Sequence, residues 1–183
     1  MEQKSTFWKS AMIYGLYIGI VLTLYSVILY VAGQSTNKSL VYVSIILYAV
    51  CIVLAQIHYR NHEKNGAISY GQAVGFAVGA MLFSGIITAL YTLIIFKIDP
   101  GMIDQIKSVQ EEAMLKQGLT EDQIEQAMSI ASKMMTPGWM SMMSVLNAVI
   151  YGTVISLVSS IFIKKQPNED AFEEAMEEVK TEE

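Results

Sequence analysis

The stretch Gly71–Phe96 (GQAVGFAVGAMLFSGIITALYTLIIF) constrains this chain most, because it contains no acidic residue and no Lys, Arg or His. A helix needs about 20 apolar residues to cross the hydrocarbon core of a bilayer, so this stretch is long enough to span it. Gly71, Gly75 and Gly79 recur every fourth residue and share one helix face. In lipid, small residues at this spacing allow two helix backbones to approach closely. We therefore predict a membrane span that packs through a glycine face.

Three further uncharged stretches are long enough to be spans, and 53% of all residues are hydrophobic. The predicted spans are residues 11–32, 40–57, 71–96 and 140–163. The first follows Lys4 and Lys9, but it is longer than the roughly 7–15 apolar residues of a signal peptide, so we predict a retained span. Residues 1–165 would form the membrane domain. Residues 166–183 form an acidic tail, which we predict to be disordered and cytoplasmic.

Residues 97–139, between spans three and four, have a different pattern. Apolar residues recur at helical spacing among charged ones. Gly118 fits the position after a helix end, Thr120 and Gln123 fit a capping box, and Pro137-Gly138 should stop the second helix. We predict an amphipathic helical hairpin. The fold class is therefore all-α: a four-helix transmembrane bundle with an extracytoplasmic helical hairpin.

The distribution of basic residues predicts the orientation. The segment His58–Tyr70 reads as a basic loop, and it should lie on the same side as both termini. Basic residues near span ends mark the cytoplasmic side. That side would hold Lys4, Lys9, Arg60, Lys64, Lys164 and Lys165. We therefore predict cytoplasmic N- and C-termini and a hairpin on the opposite side.

Two more spans carry small residues at a spacing of four, which predicts close helix packing. Span one carries Gly15 and Gly19. Span four carries the row Ala148, Gly152, Ser156 and Ser160. Together with the glycine face of span three, these rows are predicted to hold the bundle together and to support assembly with other membrane proteins.

Polar side chains occur within the apolar spans and need partners there. They are Tyr14, Tyr17, Tyr25, Tyr48, Tyr91, Asn147 and Tyr151. One interpretation is hydrogen bonding between helices, with each pair contributing roughly 0.6–2 kcal/mol. The other is a polar cavity for a small ligand or a lipid headgroup. The sequence leaves both open.

Metal-ligand patterns are weak. His58 and His62 are four residues apart, beside Glu63, but they supply only two ligands and lack the HExxH order. Methionines cluster between Met102 and Met143 and could suit Cu(I), yet no His or Cys lies near them in sequence. An adaptable apolar surface is the simpler explanation. We predict no metal site and no cofactor.

The order and character of several segments resemble the bacterial membrane family known as domain of unknown function 4199. The segments are Ile68–Gly101, the acidic helix Gln117–Met128 and Met134–Trp139 (MMTPGW). The resemblance covers nearly the whole chain except the acidic tail. It implies a small four-span protein of the bacterial inner membrane, and it implies no activity and no catalytic residue.

Several function classes lack support in the sequence. No ionisable acid or base lies within the predicted spans, which disfavours a proton-coupled pump. No catalytic set can be assembled, so the protein is not predicted to be an enzyme. No basic patch with interleaved aromatic residues supports nucleic-acid binding.

Two functional hypotheses follow. The first is a non-enzymatic structural or accessory subunit in the lipid bilayer, which assembles with itself or another membrane protein through its small-residue faces and its hairpin. The alternative is a carrier of a small molecule or lipid, with the Tyr and Asn side chains lining a cavity. A bundle filled by side chains would favour the first, and a polar cavity would favour the second.

Overall fold

The computed structural model describes residues 2–165, without the side chains of residues 2–6, 38 and 41; the predicted acidic tail lies outside this range. The described part is built from six helices and no strand, which confirms the all-α fold class. The helices are α1 (Glu2–Val31), α2 (Lys38–Glu63), α3 (Tyr70–Ile98), α4 (Gly101–Lys116), α5 (Glu121–Met134) and α6 (Pro137–Ile163).

Four of these helices contain segments that are long and apolar enough to cross a bilayer. The segments are Phe7–Val31, Tyr42–Glu63, Tyr70–Ile98 and Pro137–Ile163. Their outward surfaces carry many exposed Leu, Ile and Val side chains, which water would solvate poorly and lipid accommodates. These helices indicate a multi-pass membrane protein with four candidate spans.

Helix α3 is the centre of the bundle, because it packs extensively against both α1 and α6. Helix α2 closes the bundle by contacting α1 and α6. Backbone hydrogen bonds of 2.8 and 3.0 Å join Ile68, in the α2–α3 loop, to Lys165 after α6. A side-chain hydrogen bond from Ser10 to Glu63 joins the start of α1 to the end of α2. We call this end the terminal end, and the opposite end, which carries α4 and α5, the hairpin end.

Two helix boundaries differ from the sequence predictions. Helix α2 continues to Glu63, so much of the predicted basic loop is helical. Tertiary contacts hold this extra turn, since the Tyr59 ring stacks on Phe76 with centroids 3.9 Å apart and Arg60 donates to the Ile163 carbonyl oxygen at 3.2 Å. At the other end, Pro137 starts α6 rather than ending the hairpin. Proline suits the first helical turn, where its missing N–H has no intrahelical partner anyway.

The predicted hairpin is confirmed as two helices, α4 and α5, which pack against each other. Gly118 has a φ of +83°, as expected for the residue after a helix end. The Gln123 side chain accepts from the Thr120 backbone N–H at 3.0 Å, as in the predicted capping box. The two apolar faces cover each other only in part. Met128 is buried, whereas Leu115, Ile130 and Met134 remain exposed.

Candidate functional site

The glycines of span one lie against α3. A β-carbon on Gly15 would overlap the carbonyl oxygen of Ala80, and one on Gly19 would lie 2.8 Å from Cβ of Ile87. Neither position has room for a larger side chain without moving α1 away from α3. Both glycines therefore serve packing within the chain.

The small-residue row of α6 also packs against other helices of the same chain. All four members, Ala148, Gly152, Ser156 and Ser160, are buried. A β-carbon on Gly152 would lie 2.5 Å from Cγ of Met81 in α3. This face is therefore not available to a second protein, in contrast to the prediction that it supports assembly.

The predicted glycine face of α3 is corrected. Gly79 contacts α1, since its β-carbon would lie 3.3 Å from Cβ of Ala11. Gly71 and Gly75 are exposed, and a β-carbon at either would have no neighbour within 4 Å. Gly85, which breaks the spacing of four, instead meets α6, because a β-carbon there would lie 3.0 Å from Cα of Val145. The helix crossing, rather than the sequence spacing, decides which glycines are covered.

The polar side chains predicted to share one cavity occupy two separate sites. Tyr25, Tyr48, Tyr91, Asn147 and Tyr151 line one cavity in the half of the bundle near the hairpin end, which we call the tyrosine cavity. Tyr14 and Tyr17 line a different depression between α1 and α2, which we call the α1–α2 groove.

The tyrosine cavity has a volume of about 320 Å³. Each spanning helix contributes three of its twelve lining residues, and ten of the twelve have hydroxyl or amide side chains. The full lining is Leu22, Tyr25, Ser26, Ser44, Ile45, Tyr48, Thr88, Tyr91, Thr92, Ser144, Asn147 and Tyr151. It includes no Asp, Glu, His, Lys or Arg. The cavity wall therefore carries many hydroxyl and amide groups but no charged group.

Most hydroxyl groups of the cavity wall, all except that of Ser44, fall into two sets. Ser26, Thr88, Thr92 and Ser144 donate to carbonyl groups of their own helices at 2.8–3.0 Å, which leaves oxygen lone pairs able to accept. Tyr25 donates to the Leu40 carbonyl oxygen at 2.9 Å.

The second set has no such partner. The Asn147 amide and the hydroxyls of Tyr48, Tyr91 and Tyr151 make no hydrogen bond to any residue of 2–165. The rings of Tyr48 and Tyr151 lie 6.2 Å apart across the cavity. The cavity thus offers both acceptors and uncommitted donors.

The α1–α2 groove is larger, at about 600 Å³, and mainly apolar. Its lining is Ile13, Tyr14, Tyr17, Ile18, Val21, Cys51, Leu54, Ala55, His58 and Glu63. His58 and Glu63 face it because α2 extends beyond its predicted end. Because the predicted span ended at residue 57, the sequence did not predict that Glu63 lies at the end of a span.

The geometry of the two histidines does not create a shared metal site. The rings of His58 and His62 are stacked, with centroids 3.9 Å apart and planes inclined by 10°. Ring nitrogens of parallel, stacked imidazoles do not converge on one point, as ligands of a single ion must. Within residues 2–165, no group of three or more His, Cys, Asp or Glu side chains is placed to hold a metal ion.

A buried polar network at the terminal end was missed by sequence reasoning. The Gln56 amide nitrogen donates to the Ala73 carbonyl oxygen at 3.1 Å and to Ser160 Oγ at 2.9 Å. The Ser159 hydroxyl donates to Gln56 Oε1 at 2.6 Å. Gln56 is fully buried. A single glutamine inside an otherwise apolar run was the signal that could have revealed it.

The comparison with known families agrees with this architecture. Residues 13–165 match the family described as Protein of unknown function (DUF4199). The chain belongs to that family. The match starts within α1 and reaches the end of the last span, so it includes both the tyrosine cavity and the α1–α2 groove. No curated protein and no solved structure matches the chain.

Proposed function

We propose that this membrane protein binds a small, uncharged polar molecule in the tyrosine cavity and has no enzymatic activity. The observation that supports this is the composition of the wall, in which ten of twelve lining residues carry hydroxyl or amide groups and none carries a charge. A bundle that needed only to pack would place apolar side chains there, since polar groups in the apolar interior of a bilayer cost free energy unless they are hydrogen bonded.

The chemistry of the wall indicates the ligand class. Asn147 supplies donors and an acceptor, while the uncommitted tyrosine hydroxyls can donate to a ligand oxygen and their rings can contact apolar edges. A charged ligand would meet no counter-ion. The volume of about 320 Å³ is at the small end of ligand sites, which start near roughly 300 Å³. A polyol, a small sugar or a simple amide fits this description.

A thermal-shift screen of the purified full chain in mild detergent would test this proposal. Uncharged polyols, sugars and amides should raise the melting temperature, whereas charged analogues of equal size should not, because a ligand that binds only the folded state stabilises it. The Asn147→Leu variant should lose the shift. A matched substitution outside the cavity, Asn61→Leu, should keep it.

Two results would contradict the proposal. One is that no uncharged compound shifts the wild-type protein. The other is that a hit shifts the wild-type protein and the Asn147→Leu variant equally. Uptake of a confirmed ligand into proteoliposomes would then distinguish a carrier from a protein that only binds.

A second candidate is the accessory role, in which the hairpin contacts another membrane protein or a second copy. It is favoured by Leu115, Ile130 and Met134, which are exposed on α4 and α5 outside the spans. The surface depression between α4 and α5 is lined by acidic residues, including Glu111, Glu121 and Glu125. An interfacial helix would instead need a basic face to bind anionic lipid. A protein partner therefore suits it better than a lipid surface.

Substitution of the three exposed apolar residues would test this second role. Leu115→Ser, Ile130→Ser and Met134→Ser together should remove co-purifying partners or reduce the oligomeric size, while the four spans stay folded. Replacing the exposed polar residues Gln110, Gln126 and Ser129 by alanine is the matched control. Unchanged partners and size in the triple serine variant would exclude the hairpin as the interaction surface.

We also propose that the terminal end faces the cytoplasm of a bacterium and that the protein lies in its inner membrane. The terminal end gathers Lys9, Arg60, Lys64, Lys164 and Lys165, and basic residues near span ends favour the cytoplasmic side. In a Cys51→Ser background, a cysteine at Gln117 should react with an impermeant thiol reagent in whole cells, and one at Asn61 should not. The reverse labelling would invert the orientation.

A further inference from the structure

The α1–α2 groove combines a long apolar wall with a polar end. Ile13, Tyr17, Val21 and Leu54 line it and are exposed on the surface of the two spans, where lipid chains would contact them. The polar end contains Tyr14, His58 and Glu63. A site of this shape fits an amphipathic molecule that lies along the membrane normal with its headgroup at the terminal end.

The carboxylate of Glu63 has hydroxyl partners but no cationic one. Ser10 donates a hydrogen bond to it, and the Tyr14 hydroxyl also interacts with it. Within residues 2–165, no Lys, Arg or His forms a salt bridge with Glu63; the two salt bridges there lie in α4. A carboxylate at the end of an apolar groove is therefore poised for a cation that the described part of the chain does not provide.

The basic residue Lys9 lies in α1 one helical turn before the apolar wall of the groove begins. Lys9 precedes Ile13 by four residues in α1, so both lie on the same face of that helix. Lys9 is exposed and forms no salt bridge within the described part of the chain. The groove thus has a negative group on α2 at its terminal end, and α1 carries a positive group one turn beyond the residues that line the groove.

We propose that this groove binds a phospholipid with a primary ammonium headgroup. The ammonium donates to Glu63 and to groups beside it, the phosphate faces Lys9, and one acyl chain follows Ile13, Tyr17 and Val21. The pairing of charges selects this lipid among common bilayer lipids. A glycerol headgroup brings no cation to Glu63, and a trimethylammonium headgroup has no N–H to donate.

Native mass spectrometry of the delipidated full chain would test the proposal. The protein is incubated with equal amounts of phosphatidylethanolamine, phosphatidylcholine and phosphatidylglycerol of identical acyl chains, and the bound lipid is counted. We expect phosphatidylethanolamine to be preferred by about tenfold, the scale of one hydrogen bond to a charged group. The Glu63→Gln variant, which keeps the shape and loses the charge, should abolish the preference. Lys9→Gln should weaken binding of all three lipids, because each of them carries the phosphate.

The control and a mapping step keep the result specific. Glu125→Gln, in the hairpin, removes one carboxylate far from the groove and should leave the preference unchanged. A phosphatidylethanolamine with a diazirine in its acyl chain should crosslink to peptides of α1 and α2 that line the groove. Equal binding of the three lipids to the wild-type protein, an unchanged preference in Glu63→Gln, or crosslinks confined to other helices would each overturn the proposal.

Discussion

The two halves of the bundle are built differently although the same four helices form both. In the half near the terminal end, Phe76 is fully buried and stacks on Tyr59, while Gln56 has all its polar atoms bonded to α3 and α6. In the half near the hairpin end, polar side chains from all four spans surround an open volume of about 320 Å³. The Gln56 network satisfies its polar groups internally, whereas the wall of the tyrosine cavity leaves several without a partner in the described chain.

This difference separates stability from binding. A buried amide that is fully hydrogen bonded fixes neighbouring helices, because breaking any one bond leaves a polar group unsatisfied in an apolar medium. Hydroxyls and an amide that face a cavity can exchange their present contacts for those of a ligand. We therefore infer that the Gln56 network is part of a rigid scaffold and that the tyrosine cavity is an adaptable site.

The largest effect should come from enlarging Gly15, where the packing of α1 on α3 is closest. A methyl group in Gly15→Ala would overlap a backbone oxygen, which cannot rotate away, so the loss of stability should reach about 3 kcal/mol, the upper range for overpacking. Gly75→Ala is the matched control in α3, since no atom lies within 4 Å of the new methyl. Melting in detergent measures both, and equal melting temperatures would show that α1 can move away from α3 at little cost.

A medium effect should distinguish the buried Gln56 amide from the Asn147 amide of the tyrosine cavity. Gln56→Leu removes three hydrogen bonds from a fully buried position, which should destabilise the protein by about 1–3 kcal/mol. Asn147→Leu, in the tyrosine cavity, removes no hydrogen bond to the described chain and should change stability by less than about 0.5 kcal/mol. Denaturation in the same detergent compares them. Similar losses for both would remove the distinction between scaffold and site.

The smallest effect concerns two tyrosines of the same cavity. Tyr25→Phe deletes the hydrogen bond to Leu40, so a loss of about 1 kcal/mol is expected. Tyr48→Phe deletes a hydroxyl without a hydrogen-bond partner in the described chain, so stability should stay the same while ligand binding weakens. Unfolding and the ligand-induced shift in melting temperature are measured on both variants. Unchanged ligand binding in Tyr48→Phe, or a loss of stability as large as that of Tyr25→Phe, would contradict a role of the Tyr48 hydroxyl in ligand binding.

Sequence reasoning predicted the elements of this fold well. Long uncharged runs predicted four spans, and capping residues such as Gly118 and Thr120 predicted the two hairpin helices. These signals are local: the number of apolar residues in a row and the identity of a capping side chain depend on the chain itself. The split of the polar residues between the tyrosine cavity and the α1–α2 groove was not predicted. The spacing of residues along one helix does not determine how that helix is rotated or shifted relative to its neighbours.

Local sequence signals were enough to establish an all-α chain with four spans and a helical hairpin, because hydrophobic length and helix caps act within each segment. The packing of the helices was needed to show that Gly85 is covered while Gly75 is not, that Gln56 joins three helices, and that α2 extends far enough to carry Glu63 into a groove. The physical reason is that in lipid the helices gain little from hydrophobic burial against one another. Their crossing points depend on shape and hydrogen bonding between residues that are distant in sequence.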